Sequence, residues 1–323
     1  MLHRFAKFVV ACTVLLILAG SLVTSHGAGL SVPDWPTSYG WNMFTFPPSM
    51  WVANIWYEHG HRLVASSVGF LTIILAVWLW LAERERLWLR WLGVVALGAV
   101  IAQGLLGGLT VLFYLPPAVS TAHAGLAEIF FCLTVSIALF TSPRWNAATG
   151  EAPVDDTRLR SLALTTTIII YTQIIVGATM RHTGAGLAIP DFPLMFGHLV
   201  PDHWDPKIAV HFAHRVGALI VVISAVITAT YIWRRHTEHA ELASPALLLL
   251  LLIAVQIVLG ASTVVSGLQP FINSVHVVCG ALVLMVSLVI TLRAWRVKFD
   301  SPGKRTQSAP SAPRNPVLGE ARA

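Results

Sequence analysis

Charge is the scarcest resource in this chain. Of its 323 residues only 11% are Asp, Glu, Lys or Arg, less than half the ~25% of an average soluble domain. With 56% apolar residues, a water-soluble fold of this length could not cover its own surface. That excludes a soluble enzyme or soluble binding module. Cysteine is almost missing too. Cys12, Cys132 and Cys279 each fall inside an apolar run without CxxC spacing, which argues against a disulfide framework and a structural zinc site. Strand-like alternation is absent, so a membrane β-barrel is not expected. The basic excess, 21 Lys+Arg against 15 Asp+Glu, would suggest nucleic acid in a soluble chain. Here it reports topology instead, and no nucleic-acid partner is expected.

What is present is long apolar runs, 12 Trp and 13 His. A bilayer crossing needs roughly 20 apolar residues. Eight runs qualify: 8–25, 61–81, 91–112, 119–140, 162–180, 211–232, 246–265 and 272–292. Backbone groups in lipid must bond within their own segment, so the runs predict helices. With the N-terminus inside, seventeen basic residues fall on the cytoplasmic side and four (Arg62, Arg181, Lys207, Arg215) on the other. This bias predicts both termini in the cytoplasm. The Pro/Ser-rich tail from about Ser301 is expected to be disordered and carries no assigned chemistry.

The chain also repeats itself. GSLVTSHGAGLSVPDWP from Gly20 returns as GATMRHTGAGLAIPDFP from Gly177, an offset of 157. A cleaved leader would not be copied as a mid-chain helix, so the first run is expected to stay. Further on the offset settles at 153: His61-Arg62 matches His214-Arg215, Gln103 matches Gln256, Gly107 matches Gly260, and His123 matches His276. Four helices per half give both halves one direction of entry, a parallel repeat. The expected fold is an all-α integral membrane protein, its eight transmembrane helices forming two four-helix bundles. Residues 1–145 form the first, 146–160 a cytoplasmic linker, 161–297 the second and 298–323 the cytoplasmic tail.

In each half two histidines stand 62 residues apart, early in helices that both run from outside to inside. Such an imidazole pair could serve as axial ligands to a flat metal macrocycle, heme iron above all. A zinc ion would lack third and fourth ligands at the usual spacing. His59, His182, His198 and His203 are read as solvated loop residues. Arg62 and Arg215 suit heme propionates, or else snorkel to the interface. Small residues at Gly104, Gly107, Gly108, Gly260 and Ala261 allow close approach of another helix or of a macrocycle. The PDWP and PDFP segments read as ordered turns lidding the sites, or as turns capped by their own Asp. The halves differ at one telling place: Glu58 aligns with His211. Glu58 and His61 share a helix face at i, i+3. The carboxylate is either an acid/base or substrate-orienting group, or a hydrogen-bond partner of His61.

The Glu58-x-x-His61-Arg62 motif, His123, the His214-Arg215 and His276 copies, the GAGLSVPDWP/GAGLAIPDFP loops and the eight-span repeat resemble the heme A synthase family over about residues 5–295. The resemblance implies oxidation of the C8 methyl of heme O to a formyl group, giving heme A for cytochrome oxidase. It implies a resident heme b on His214 and His276 with Arg215 beside it. Substrate heme O would lie between His61 and His123 near Arg62, with Glu58 as the essential carboxylate. It implies further a bacterial cell membrane, heme sites toward the outer face, heme O delivered by a heme O synthase, and an unidentified electron donor. A homo-oligomer is admitted. Some bacterial members carry a cysteine pair in the first outer loop, whereas residues 34–54 here contain none. The principal alternative is a non-catalytic diheme b-type electron-transfer protein; a second is a heme transporter or chaperone.

Overall fold

The structure, a computed structural model, describes residues 1–146 and 154–296. Eight helices are long and apolar enough to cross a membrane. They are α1 (Leu2–Ser25), α2 (Ile55–Ala82), α3 (Leu87–Leu112), α4 (Pro117–Phe140), α5 (Thr157–His182), α6 (Pro206–Arg235), α7 (Ala240–Val265) and α8 (Pro270–Ala294). Among the described residues there is no strand, only two isolated bridges, Ser38 with Trp41 and Met195 with His198. The chain is an all-helical integral membrane protein, as its composition requires. The expected tail 298–323 lies outside the described residues, as does much of the expected linker.

Several helices begin before the apolar run that announced them. α2 starts at Ile55 and α6 at Pro206, because their opening residues include Glu58, His59 and Lys207, which hydropathy does not recognise. Helix-starting chemistry marks these points instead. Asp205 accepts hydrogen bonds from the amides of Lys207 and Ile208, with Pro206 in the first turn, where its missing N–H costs nothing. Gln269 and Pro270 open α8 in the same way. α5 begins at Thr157, inside the stretch expected to be linker, because Asp156 caps it.

Neighbouring helices pack in sequence, α1 on α2, α2 on α3 and α3 on α4, and α1 also packs on α4. The same pattern joins α5, α6, α7 and α8, with α5 against α8. Contacts between the two sets run through α1–α8, α4–α5 and α4–α8. α4 and α8 are thus the interior helices, burying about half of their apolar windows. Phe130, Phe131 and Ile137 of α4 and Leu284 of α8 are fully covered. Lipid offers no hydrophobic drive between helices, so close packing and interhelical hydrogen bonds hold them together. The Thr166 hydroxyl lies 2.6 Å from that of Ser224 and 2.8 Å from that of Thr228, joining α5 to α6. Thr167 reaches Ser287 and Thr291 of α8 at 2.7 and 2.8 Å.

The Asp156 cap gathers four donors. Its Oδ1 accepts from the amides of Arg158 and Leu159, its Oδ2 from the Tyr231 hydroxyl and His236 Nε2. Partial burial alone would raise its pKa, but these hydrogen bonds prevail and hold it down at about 2. A carboxylate depressed in the folded state stabilises above its unfolded pKa, and that contribution fades as pH falls through the folded value. Asp156→Ala is therefore expected to lower stability by about 1 kcal/mol, the usual worth of an N-cap. The gap between variant and parent, measured by thermal unfolding in detergent, should persist at neutral pH and shrink as pH drops toward about 2.

Candidate functional site

The four repeated histidines sit on diagonal helices of each set of four: His61 on α2 with His123 on α4, and His214 on α6 with His276 on α8. Within each pair the two imidazoles are near enough to influence one another electrostatically. His61 lies in the second turn of α2 rather than opening it.

Each ring rests on a glycine of the adjacent helix. A methyl group added at Gly20 would stand 3.0 Å from His61 Cε1; at Gly107, 3.1 Å from His123 Cε1; at Gly177, 2.8 Å from His214 Cε1; at Gly260, 3.1 Å from His276 Cε1. Gly20 and Gly177 are repeat partners, as are Gly107 and Gly260. Of the small residues singled out in the sequence, Gly107 and Gly260 thus give room to imidazoles rather than to neighbouring backbones, and Gly20 and Gly177, not singled out there, do the same. Gly104 faces open space, and Gly108 receives the indole of Trp35, whose Cδ2 would lie 2.5 Å from an added methyl. The first outer loop therefore anchors on α3 one residue beyond the glycine that cradles His123.

The Nδ1 atoms of His61, His123 and His276 are buried without a protein partner, while His214 Nδ1 lies 3.0 Å from Gln173 Nε2. Gln103 Nε2 donates to the carbonyl of His123 at 2.8 Å, and Gln256 Nε2 lies 3.5 Å from His276 Nε2. Buried polar atoms normally find partners. Imidazoles set in small-residue cradles, three of the four with an orphaned nitrogen, suit coordination from outside the polypeptide. Two nitrogens per half fit the axial positions of heme iron, and fall short of a four-ligand zinc shell.

Glu58 is 3% exposed and engaged at both oxygens. Oε2 accepts from the Val32 amide at 2.7 Å and Oε1 from Arg62 Nη2 at 2.7 Å. The sequence left open a hydrogen bond from Glu58 to His61; in the structure its partners are Arg62 and the outer loop. His211, the aligned residue, occupies the same slot: its Nδ1 lies 3.3 Å from the Ile189 amide and 3.1 Å from the Ala185 carbonyl. Val32 and Ile189 are themselves repeat partners at an offset of 157. One loop amide thus meets a carboxylate in the first half and an imidazole in the second.

The two arginines clamp the outer loops. Arg62 donates to the carbonyls of Val32, Asp34 and Thr37 at 2.8, 2.8 and 3.0 Å. Arg215 donates to those of Ile189, Asp191 and Leu194 at 3.0, 2.8 and 2.9 Å. Backbone carbonyls of the loops, and for Arg62 also the Glu58 carboxylate, thus engage both guanidinium groups, contacts that the sequence reading did not anticipate. The loop aspartates cap turns. Asp34 accepts from the amides of Tyr39 and Gly40 and from the Thr37 hydroxyl; Asp191 accepts from those of Phe196 and Gly197. Desolvation would raise the Asp34 carboxyl, but these donors keep it below its ordinary value, and the Gly197 and Phe196 amides do the same for Asp191.

Two residues expected in water are not there. His59 is fully buried, 3.2 Å from the Ser38 hydroxyl and edge-on to Phe46 and Trp51. Because α2 starts at Ile55, His59 faces the folded loop rather than solvent. His182 is half-buried at the end of α5. His198 and His203 are exposed as expected, His203 pairing with Asp202. The sequence reading also passed over Glu128 of α4, which is 4% exposed with Oε2 unpartnered. An acid inside an apolar run, opposite Ala281 in the second half, was the available signal. Arg181 was counted only as topology. It donates to the Ser21 carbonyl and to the hydroxyls of Ser21 and Ser25, tying α5 to α1.

Comparison with known proteins places this geometry. The family model COX15-CtaA, described as cytochrome oxidase assembly protein, matches residues 3–288. A heme A synthase of Shouchella clausii is 30% identical over 287 residues, covering 88% of this chain and 91% of the relative. One from Symbiobacterium thermophilum is 33% identical over 260 residues, 78% of this chain and 81% of the relative. Another, from Halalkalibacterium halodurans, is 27% identical over 310 residues, with 94% and 99% covered. The motifs that carried the resemblance in the sequence are those the structure sets on glycine cradles and beneath the clamped loops, and the chain belongs to the COX15-CtaA family of cytochrome oxidase assembly proteins, alongside relatives named heme A synthase.

Proposed function

We propose that this protein is a heme A synthase, a membrane oxidoreductase that converts the C8 methyl of heme O to a formyl group for cytochrome oxidase assembly. The observation that carries the reading is the duplicated histidine pair on glycine cradles with a carboxylate in one half alone. The names of its relatives agree with it.

In this reading residues 1–145 and 161–297 act as two four-helix bundles. His214 and His276 hold a resident heme b in the second, with Arg215 fixing the loop above it. His61 and His123 position heme O in the first, with Arg62 fixing the equivalent loop. Heme b, when bound, supplies reversible one-electron storage, which suits a reaction that removes four electrons from a methyl group. Glu58 stands one helical turn from His61, where it orients substrate or moves a proton at Oε1 or Oε2. Arg62 holds that carboxylate in place, and the Val32 amide fixes its second oxygen. His211 occupies that slot in the second half, and it has no carboxylate to offer. The asymmetry divides the labour: electron storage in one half, proton-coupled oxidation in the other. The basic-residue bias supports a topology with both termini in the cytoplasm and both sites toward the outer face. Heme O comes from a heme O synthase, a separate donor exchanges electrons, and an oxidant from outside the chain accepts the four electrons, the formyl oxygen coming from that oxidant or from water.

The test is pigment analysis of cells producing this chain together with a heme O source. Heme A should appear in the extract and be missing without the chain. Two firmly held b hemes and no formyl-bearing product would identify a diheme electron-transfer protein instead.

A further inference from the structure

The seam between α5 and α6 opens on the membrane face that carries most of the basic residues. A cavity of about 400 Å³ lies there, rimmed by Arg158, Arg234 and Arg235 and floored by Leu162 and Ile227. A second, of about 420 Å³, begins at the same Leu162 and Ile227 and descends toward Ile169 and Ile220. The shared residues make one groove with a cationic mouth and an apolar trough. Ile227 to Ile220 is two helical turns, roughly 10 Å of trough at 1.5 Å per residue.

The mouth has charge to spare. Among the described residues no carboxylate pairs with the guanidinium of Arg158, Arg234 or Arg235. Arg158 lies over the Tyr231 ring, 5.4 Å from its centroid. Asp156, the nearby acid, has both oxygens occupied by its four donors.

The first half supplies an internal control. At the repeat offsets Leu162 corresponds to Phe5, Tyr231 to Trp78, and Arg234-Arg235 to Leu81-Ala82. Phe5 and Trp78 pack with ring centroids 5.5 Å apart, so two aromatic rings in contact occupy the positions that line the groove in the second half. The arginines are missing with it. Neither the fold nor the positive-inside bias demands this difference, since the repeat achieves the same helix packing without it.

We propose that the α5–α6 groove binds one anionic phospholipid, the phosphodiester between Arg158, Arg234 and Arg235 and an acyl chain along Leu162, Ile227 and Ile220. Guanidinium groups favour phosphate oxygens, and basic pockets between helices at the cytoplasmic boundary select anionic headgroups. The site rests on the membrane reading alone and does not depend on the heme assignments.

The test uses the full chain, delipidated in a neutral detergent and offered phosphatidylglycerol or phosphatidylcholine of identical acyl chains, with bound lipid counted by native mass spectrometry. One phosphatidylglycerol should be retained in preference to phosphatidylcholine. Arg234→Gln/Arg235→Gln should weaken retention about tenfold or more, two guanidinium charges facing the headgroup being removed. Leu162→Phe, which copies the first half, should weaken it with all three arginines in place. Lys7→Gln/Arg84→Gln, a charge-matched change on the same membrane face, should leave it unaltered, and millimolar inorganic phosphate should not displace the lipid. Equal binding of the two lipids, an equal loss in the charge-matched control, displacement by phosphate, or full retention in Leu162→Phe would each overturn the proposal.

Discussion

Glu58→Gln is expected to lower conversion of heme O to heme A by at least ~100-fold, the lower range for loss of a positioned acid/base group, while the resident heme b stays bound. The choice of substituent decides what is learned. Glutamine keeps a carbonyl oxygen for the Val32 amide or for Arg62, so the clamp around the loop is largely preserved. It cannot exchange a proton or carry charge. Glu58→Ala removes the acceptor as well, and breaking a buried pair from one side typically costs ~3–5 kcal/mol. Here the loss is tempered, because Arg62 retains three backbone carbonyls. Parallel measurement of protein yield, b-type absorbance and extracted heme A separates the cases. If Glu58→Gln makes heme A like the parent and only Glu58→Ala fails, the carboxylate holds the loop and takes no part in the reaction.

The sequence exposes whatever is periodic or repeated. Eight apolar runs stand out against scarce charge, and the internal repeat singles out four histidines, two per half. The repeat even aligns Glu58 with His211, the two side chains that meet equivalent loop amides in the structure. Partners reached through loop folding were not legible. The carbonyls that accept from Arg62 and Arg215 lie 21 to 30 residues upstream. Nothing in local spacing encodes that return of the chain. His59 was misjudged for a related reason. A histidine just ahead of an apolar run resembles a solvated flank until the loop carrying Phe46 and Trp51 folds over it. The glycines show the opposite limit. Their repetition was visible, but only coordinates reveal that the guest at Gly107 and Gly260 is an imidazole.

Those cradles provide the second large effect. If His214 and His276 hold heme b as proposed, His276→Ala is expected to deplete it, because the group would then be held by one protein ligand alone. Gly260→Val should act in the same direction with the histidine intact. Its first added carbon would stand 3.1 Å from His276 Cε1, tighter than comfortable contact, and two further methyls make the crowding worse. Overpacking of this kind costs ~1–3 kcal/mol, and the imidazole is the movable neighbour. Gly107→Val is the matched control in the other half, crowding His123 at the same distance of 3.1 Å. If the division of labour is right, Gly260→Val diminishes the b-type absorbance of the purified protein, whereas Gly107→Val spares it and impairs heme O conversion. A b-type spectrum that survives His276→Ala and disappears in His123→Ala would mean that the resident cofactor occupies the first half. Glu58 would then neighbour the electron store, and the acid/base role assigned to it would have to be abandoned.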